Sequence, residues 1–438
     1  MLGYRRERFL DSQRYARYSG ATVASPCLAV DTISGHRLRA PETEELLGND
    51  MSRDKGKNRK QARADLALYH VRHATFELLS ANGYDVQTVE DGSSPLEFGA
   101  SVPNDMPDCW KTHQPTIVPK VATLRDAKLF EDGSALLPDG HYCYTDTSFG
   151  REEDWREKHV PRKVFRRIDQ EHDDALIRLP SRSVSVSGRC FSTLSNHHEN
   201  YGHFIHDVMT RVYYEDLKII APGREKMIAP PFQHPILKVL FKKIFAGYEI
   251  VEARADTAIE AEELVLAANL CSRSRFNPLG IVSLARRMNR VMAPYAASEK
   301  SKVCVSRRDG RDHAGRDFIN SAEFENRMRK LGYRVVEVST LDSESQFSLW
   351  ANATDIVGIH GAGMMNMIMM PKGGNYFEVA GAPSETYRSG TPNNVVRSAM
   401  AAGHRTYGIA SSRNGDGRPT IDIERLVEIM NDSQRSYA

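Results

Sequence analysis

Four histidines and two carboxylates crowd one short stretch, Asn196-His197-His198-Glu199-Asn200-Tyr201-Gly202-His203-Phe204-Ile205-His206-Asp207. If the chain is helical from Gly202, then His203, His206 and Asp207 share one face at i, i+3 and i+4. Three readings of that face stand open. It is an acid/base surface in a cleft, where a carboxylate and a histidine remove a proton from an attacking hydroxyl. It is a metal site, although no further ligand can be named from the sequence. Or it is only the start of a structural helix.

A second constellation has the chemistry of an anion site. Asp355-Ile356-Val357-Gly358-Ile359 predicts a strand, His360-Gly361-Ala362-Gly363 a tight turn, and Met364 to Met370 the start of a helix. Glycines let a backbone approach a ligand closely, and the first N–H groups of a helix favour an anion. The turn therefore suits a phosphate or diphosphate, or else is a strand–helix connection with glycines for steric reasons. No Lys-Ser/Thr follows it, so it is not a Walker loop. Met364-Met365-Asn366 follows Gly363, so it is not G-x-G-x-x-G. The apolar run Val303–Val305 ends in Ser306-Arg307-Arg308. Two arginines at a strand's end can clamp a diphosphate, or they are a solvated pair. Glu378, taken as the end of a strand over Asn375–Phe377, is either an acceptor for a ribose hydroxyl or a rim charge.

These groups need elements to position them. The second half alternates strand and helix: Val303–Val305, a helix over Ser321–Leu331, Tyr333–Val338, a helix over Ser343–Ala353, then Ile356–Ile359. That is a run of βαβ units, whose ligands bind at the carboxyl edge of the sheet. Further strands are expected at Ser183–Val186, Leu217–Ile220, Lys226–Ala229, Glu249–Glu252, Glu263–Ala267 and Thr406–Ile409. Helices are expected at Gln61–Ala81, His234–Phe245, Ile281–Met292, Val395–Ala402 and Ile421–Met430. Arg287 reads as a surface residue. The polar segment Ala380–Asn394 reads as a loop over the donor.

Together these segments resemble glycosyltransferase family 61. The resemblance is carried by SRR at 306–308, LGYRVVEV, SESQFSLWANATDIVGIHGAGMMN, the later FEV and the upstream NYGHFIHDVMTR (Asn200–Arg211), which fits an N-Y-x-H-x-x-x-D pattern. It spans roughly residues 175–410, and its bacterial polysaccharide-assembly branch fits best. Met364-Met365 departs from the Leu-Thr or similar usual there, a change expected to alter packing. The resemblance implies an α/β fold of two Rossmann-like domains, the GT-B-type architecture, with a polar N-terminal extension. The domain boundaries expected are 1–110 for the extension, 111–295 for the acceptor side, 296–410 for the nucleotide-sugar side, and 411–438 for a linker and a helix returning to the first domain.

The resemblance also implies the chemistry: inverting transfer from a nucleotide-sugar to a saccharide or lipid-linked glycan acceptor. Asp207 is then the expected general base with His203 beside it. Asn200, Tyr201 and His206 lie on the acceptor side. Arg307, Arg308, His360, Gly361, Ala362, Gly363, Asn366 and Glu378 bind the donor. No D-x-D occurs in the sequence, so metal-independent transfer with no cofactor is expected. The alternatives are a metal-dependent hydrolase using the 197–207 histidines, or a non-catalytic nucleotide- or glycan-binding relative.

Whole-chain properties set the bounds. The 438 residues carry a net charge of +2 with 26% charged and 40% hydrophobic side chains, which excludes a nucleic-acid binder by bulk charge. No apolar run is long enough for a membrane span, and the first twenty residues lack the apolar core of a signal peptide. The six cysteines are scattered without C-x-x-C, which reads as thiols in a reducing compartment. A cytoplasmic enzyme is expected. The basic run Ser52–Arg63 is either a solvated linker or a peripheral contact with anionic lipid at the inner membrane face.

Overall fold

The computed structural model describes residues 68–73, 76–88, 119–144, 165–169, 174–270, 277–307, 318–380, 394–413 and 418–435. The basic run 52–63, Arg308, and the loop 381–393 lie outside them, as do Cys27, Cys109 and Cys271. The other three cysteines are buried thiols. No described helix is long and apolar enough to cross a membrane.

The fold is mixed α/β, built on two main sheets. The first holds β1 (Leu68–His73), β2 (Asp85–Thr88), β3 (Lys120–Leu129), β4 (Ser134–Leu136), β5 (His141–Tyr144), β6 (Phe165–Asp169), β7 (Asp174–Arg178), β8 (Arg182–Ser192), β9 (Lys226–Ala229), β10 (Glu249–Glu252) and β11 (Thr257–Ala267). Their order is β10-β9-β8-β11-β3-β4-β5-β1-β7-β6, with β2 also on β3. Only β10-β9-β8-β11 is a parallel block. Apart from the parallel β1–β5 pair, the remaining pairs are antiparallel, several joined by tight turns. Within the parallel block the chain order reverses between β8 and β11.

The second sheet holds β12 (Ser301–Val305), β13 (Tyr333–Val336), β14 (Ala353–Ile359), β15 (Asn375–Ala380) and β16 (Arg405–Ala410), all parallel in the order β13-β12-β14-β15-β16. Its topological switch point lies between β12 and β14. In open α/β sheets ligands bind at such points, outside the carboxyl ends of the strands.

Both faces of this sheet are covered, so its strands are continuously apolar. Cys304, Val357, Phe377 and Val379 face the helices Ser321–Lys330 and Ile423–Arg435. Val303, Val305, Ile356 and Tyr376 face a core shared with the first half, which includes Phe204, Leu240, Phe241, Leu284, Trp350 and Met365. Helix Pro235–Ile244 shows how the sequence makes that layer. Proline starts it, and Ile236, Leu237, Leu240, Phe241 and Ile244 form one buried stripe. Each such Leu or Phe contributes about 2–3 kcal/mol by leaving water.

Several expectations are corrected here. Within Gln61–Ala81, the described residues Leu68–His73 are strand and Phe76–Ala81 are helix. Leu217–Ile220 is not a strand. It ends the helical turn Tyr213–Asp216, and Lys218 takes φ 61 as its left-handed cap. The terminal helix does not return to the first half, because Ile423, Leu426, Val427 and Met430 pack on the outer face of the second sheet. Arg287 is largely buried, paired with Glu215 and donating to the Ile244 carbonyl at 3.3 Å.

Candidate active site

The carboxyl end of β8 leads into the histidine-rich stretch. Asn200 caps the turn that follows: its side-chain oxygen accepts from the N–H groups of Gly202 (2.9 Å) and His203 (3.2 Å). The chain then winds as a helical turn over Tyr201–His203, a π turn over Phe204–Val208 and a 3-10 turn over Met209–Val212. Side chains explain the irregular winding. The Thr210 hydroxyl takes the His206 carbonyl, and Arg211 Nε takes that of Asp207 at 3.0 Å. Both compete for carbonyls that a regular α-helix would use.

The winding separates the three groups expected on one face. His203 Nδ1 donates to Asp207 Oδ2 at 3.1 Å, and the Ser195 hydroxyl donates to the same oxygen at 3.4 Å. His206 turns away and meets Ser398 Oγ at 2.7 Å. That hydroxyl itself donates to the Asn394 carbonyl at 2.7 Å, so His206 Nε2 carries the proton. Burial pushes His206 down to about 4, which keeps it neutral. His206 therefore joins the two halves of the protein rather than lining the acceptor side.

Exposure divides the His203–Asp207 pair. The His203 side chain is 46% exposed and that of Asp207 6%. The His197 ring lies 5.0 Å from the His203 ring, while His198 is buried with Nδ1 2.7 Å from the Ser195 carbonyl. Arg211 is fully buried and holds the platform beneath. Besides Asp207 it donates to the carbonyls of Ser192 (3.2 Å), Leu194 (3.2 Å) and Ala267 (2.9 Å). Ser192 ends β8 and Ala267 ends β11, so this cation sits at the reversal of the parallel block.

The residues expected to bind the donor gather at the other switch point. Arg307 follows β12, and the His360–Gly363 turn follows β14. Arg307 Nη1 donates to the His360 carbonyl. A Cβ at Gly361 would overlap that nitrogen and lie 3.0 Å from Cζ. Gly361 has φ 166, which is ordinary extended backbone. The glycine leaves room for the guanidinium packed on it, and a larger residue would push that side-chain end aside. Beyond it Ala362–Met369 is a 3-10 helix rather than an α-helix.

Asn366 is fully buried; its Nδ2 donates to the Gly363 carbonyl at 2.8 Å and its Oδ1 accepts from the Tyr201 hydroxyl at 2.5 Å. Tyr201 thus faces the helix that follows the His360–Gly363 turn. The two clusters adjoin directly, since a Cβ at Gly202 would lie 3.4 Å from Ala362 Cα. Glu378 sits inside β15, which runs on to Ala380, and is no rim charge. Its side chain is 1% exposed and meets His360 Nδ1 at 3.0 Å.

Sequence reasoning passed over Ser195, Arg211, Tyr376 and Ser398. Arg211 closes the NYGHFIHDVMTR motif, and Tyr376 shares a strand face with Glu378, so both left a signal. Ser195 and Ser398 left none. Among the described residues no three His, Cys, Asp or Glu side chains group closely enough to hold a metal ion. His198 and His206 turn to separate contacts, while His197 and His203 stay side by side.

No curated protein matches the chain. Residues 201–376 match the family model described as Glycosyltransferase 61. That match begins at the Tyr201 turn and ends in β15, so it takes in the His203–Asp207 pair, Arg307 and the His360–Gly363 turn. Residues 201–376 thus carry a glycosyltransferase family 61 domain, which supports a glycosyltransferase.

Proposed function

We propose that this enzyme transfers a sugar from a nucleotide-sugar to a saccharide or lipid-linked glycan acceptor, with inversion and without a metal. One observation carries the reading: the exposed His203, backed by buried Asp207, is on the turn that packs against the Gly361–Gly363 backbone beside Arg307. A base and a diphosphate-type cradle therefore adjoin. The parallel β10-β9-β8-β11 block and the parallel second sheet, each with a switch point whose strands end at these residues, support the GT-B-type arrangement.

The exposure of the pair favours His203 as base, with Asp207 orienting it. Ionised Asp207 only accepts, so Nδ1 holds the proton and the accepting lone pair is on Nε2. Nε2 takes the proton of the acceptor hydroxyl. The acceptor oxygen bonds to the anomeric carbon from the face opposite the diphosphate. The bond from that carbon to the diphosphate oxygen breaks, and its electron pair leaves with the nucleoside diphosphate. Arg307 offsets the charge that develops there. In a chain without D-x-D this cation is the reason for proposing metal independence. The metallo-hydrolase alternative is not favoured, because no three described His, Cys, Asp or Glu side chains group closely enough to hold a metal ion.

The test is calorimetric titration of wild type and Arg307→Ala with UDP, GDP and CMP, with and without EDTA. Chelator-insensitive binding of one nucleotide, weakened in the variant, is expected. Binding that vanishes with EDTA and returns with Mn²⁺ would overturn metal independence. No binding of any of the three would overturn the donor-site assignment.

A further inference from the structure

Glu378 invites a different role from that of a ribose acceptor. It sits near the carboxyl end of β15 with its side chain 1% exposed. Both carboxylate oxygens are engaged: Oε1 lies 3.0 Å from His360 Nδ1, and Oε2 accepts from the Tyr376 hydroxyl. Tyr376 is two residues earlier on the same strand and so on the same face. A buried carboxylate costs free energy unless its oxygens are satisfied. Its partners here include a tyrosine at 0% exposure and a side chain that reaches the surface, His360, which is 24% exposed.

We infer that Glu378 and Tyr376 are positioning residues for His360, and that His360 meets the diphosphate of the donor through Nε2. The inference rests on the donor-site reading above. A carboxylate has no proton to give, so the hydrogen of this contact is on Nδ1 and the ring is fixed in one orientation. Nε2 lies across the ring from Glu378. Arg307 holds the His360 carbonyl, so its guanidinium and this imidazole belong to the same turn at the β12/β14 switch point. A diphosphate oxygen is an acceptor, so Nε2 meets it as N–H, and the doubly protonated ring stands as a second cation beside Arg307 in the complex. Tyr376 fixes the carboxylate and Glu378 fixes the ring. This is the arrangement expected when a ligand contact must be held to within a fraction of an ångström.

If His360 met the base or ribose instead of the diphosphate, its loss would leave pyrophosphate binding unaffected. The experiment therefore compares UDP and GDP with inorganic pyrophosphate, which has no base or ribose. Wild type, His360→Gln, Glu378→Gln and Tyr376→Phe are titrated by calorimetry, with melting temperatures as the folding control. His360→Gln is expected to weaken the diphosphates and pyrophosphate by the same factor, roughly tenfold. Glu378→Gln offers the ring a donor as well as an acceptor, so the ¹⁵N spectrum of His360 should change from one tautomer to a mixture while pyrophosphate binding weakens. Tyr376→Phe is the milder variant and should loosen binding in the same direction if Glu378→Gln does not fold.

Unchanged pyrophosphate binding in His360→Gln would overturn the inference. So would a His360 tautomer indifferent to Glu378→Gln. If wild type bound neither nucleotide nor pyrophosphate, the donor-site reading itself would fail. Nucleotide binding with pyrophosphate indifferent to His360 would defeat the inference alone.

Discussion

The Tyr201 hydroxyl donates to Asn366 Oδ1 at 2.5 Å, across 165 positions of sequence. One residue opens the turn that carries His203, and the other lies in the 3-10 helix behind Gly363. The bond and the adjoining Gly202–Ala362 packing set the distance between the His203 turn and the His360–Gly363 turn. His206 and Ser398 make a second tie nearby, and the core beneath runs unbroken from Phe204 to Met365.

Tyr201→Phe keeps the ring and removes only the donor. Asn366, at 0% exposure, then keeps a buried oxygen without its hydroxyl partner, a loss of about 1–3 kcal/mol. The expected outcome is a lower melting temperature together with weaker nucleotide binding, because the Gly363 carbonyl depends on the same amide. Thermal unfolding and nucleotide titration check it. A destabilised variant with unaltered nucleotide affinity would show that the tie does not set the donor turn.

The His203–Asp207 pair gives a prediction that separates binding from chemistry. His203→Ala should leave nucleotide affinity as in wild type and lower turnover by about 10²–10⁴-fold, the usual contribution of a general base. Asp207→Asn should lower turnover too, because an amide can present either an oxygen or an N–H to Nδ1 and no longer fixes the tautomer. Turnover by His203→Ala at the wild-type rate would return the role of base to Asp207.

Gly361→Ala tests the packing of the donor turn. The added methyl occupies the position of Arg307 Nη1, so the guanidinium must leave the His360 carbonyl. Loss of a charge-assisted contact is worth about 1.5–3 kcal/mol, which corresponds to a drop in nucleotide affinity of roughly ten- to a hundredfold. Since both changes act through one side chain, Gly361→Ala in an Arg307→Ala background should add little. Additive losses in the double variant would disprove the shared route.

Much of this site was legible because it lies at strand ends. The strands Lys226–Ala229 and Glu249–Glu252 fall where their apolar runs predict. Ser306-Arg307 and His360–Gly363 announce themselves as breaks after buried runs. What was not legible depends on long-range contacts. The spacing of His203, His206 and Asp207 promises one helical face. The hydroxyl of Thr210 and the guanidinium of Arg211 unwind that helix, and Ser398, 192 positions away, draws His206 off the face. Leu217–Ile220 has the composition of a strand, but its apolar side chains pack from a turn. The segment Leu68–His73 pairs with β5 and β7, partners that no local pattern names.

Two buried histidines make stability depend on pH. Burial is the main cause that holds both His206 and His404 at about 4, below the ordinary 6.5. His404 Nε2 lies 2.9 Å from the Met367 carbonyl, so His404 pins the end of the helix that carries Asn366. Because both values are depressed in the folded state, the unfolded chain binds protons first as pH falls. Stability is therefore fully present above about pH 6.5. It declines between about 6.5 and 4, and the contribution is exhausted below that range. Each histidine accounts for up to about 3 kcal/mol of the decline. Denaturant unfolding from pH 7.5 to 4 should show the slope. His404→Gln, which can still donate to Met367 but does not titrate, should flatten part of it. An unfolding free energy level across that range in wild type would mean that neither histidine stays neutral inside, and the tie between His206 and Ser398 would need a charged imidazole instead.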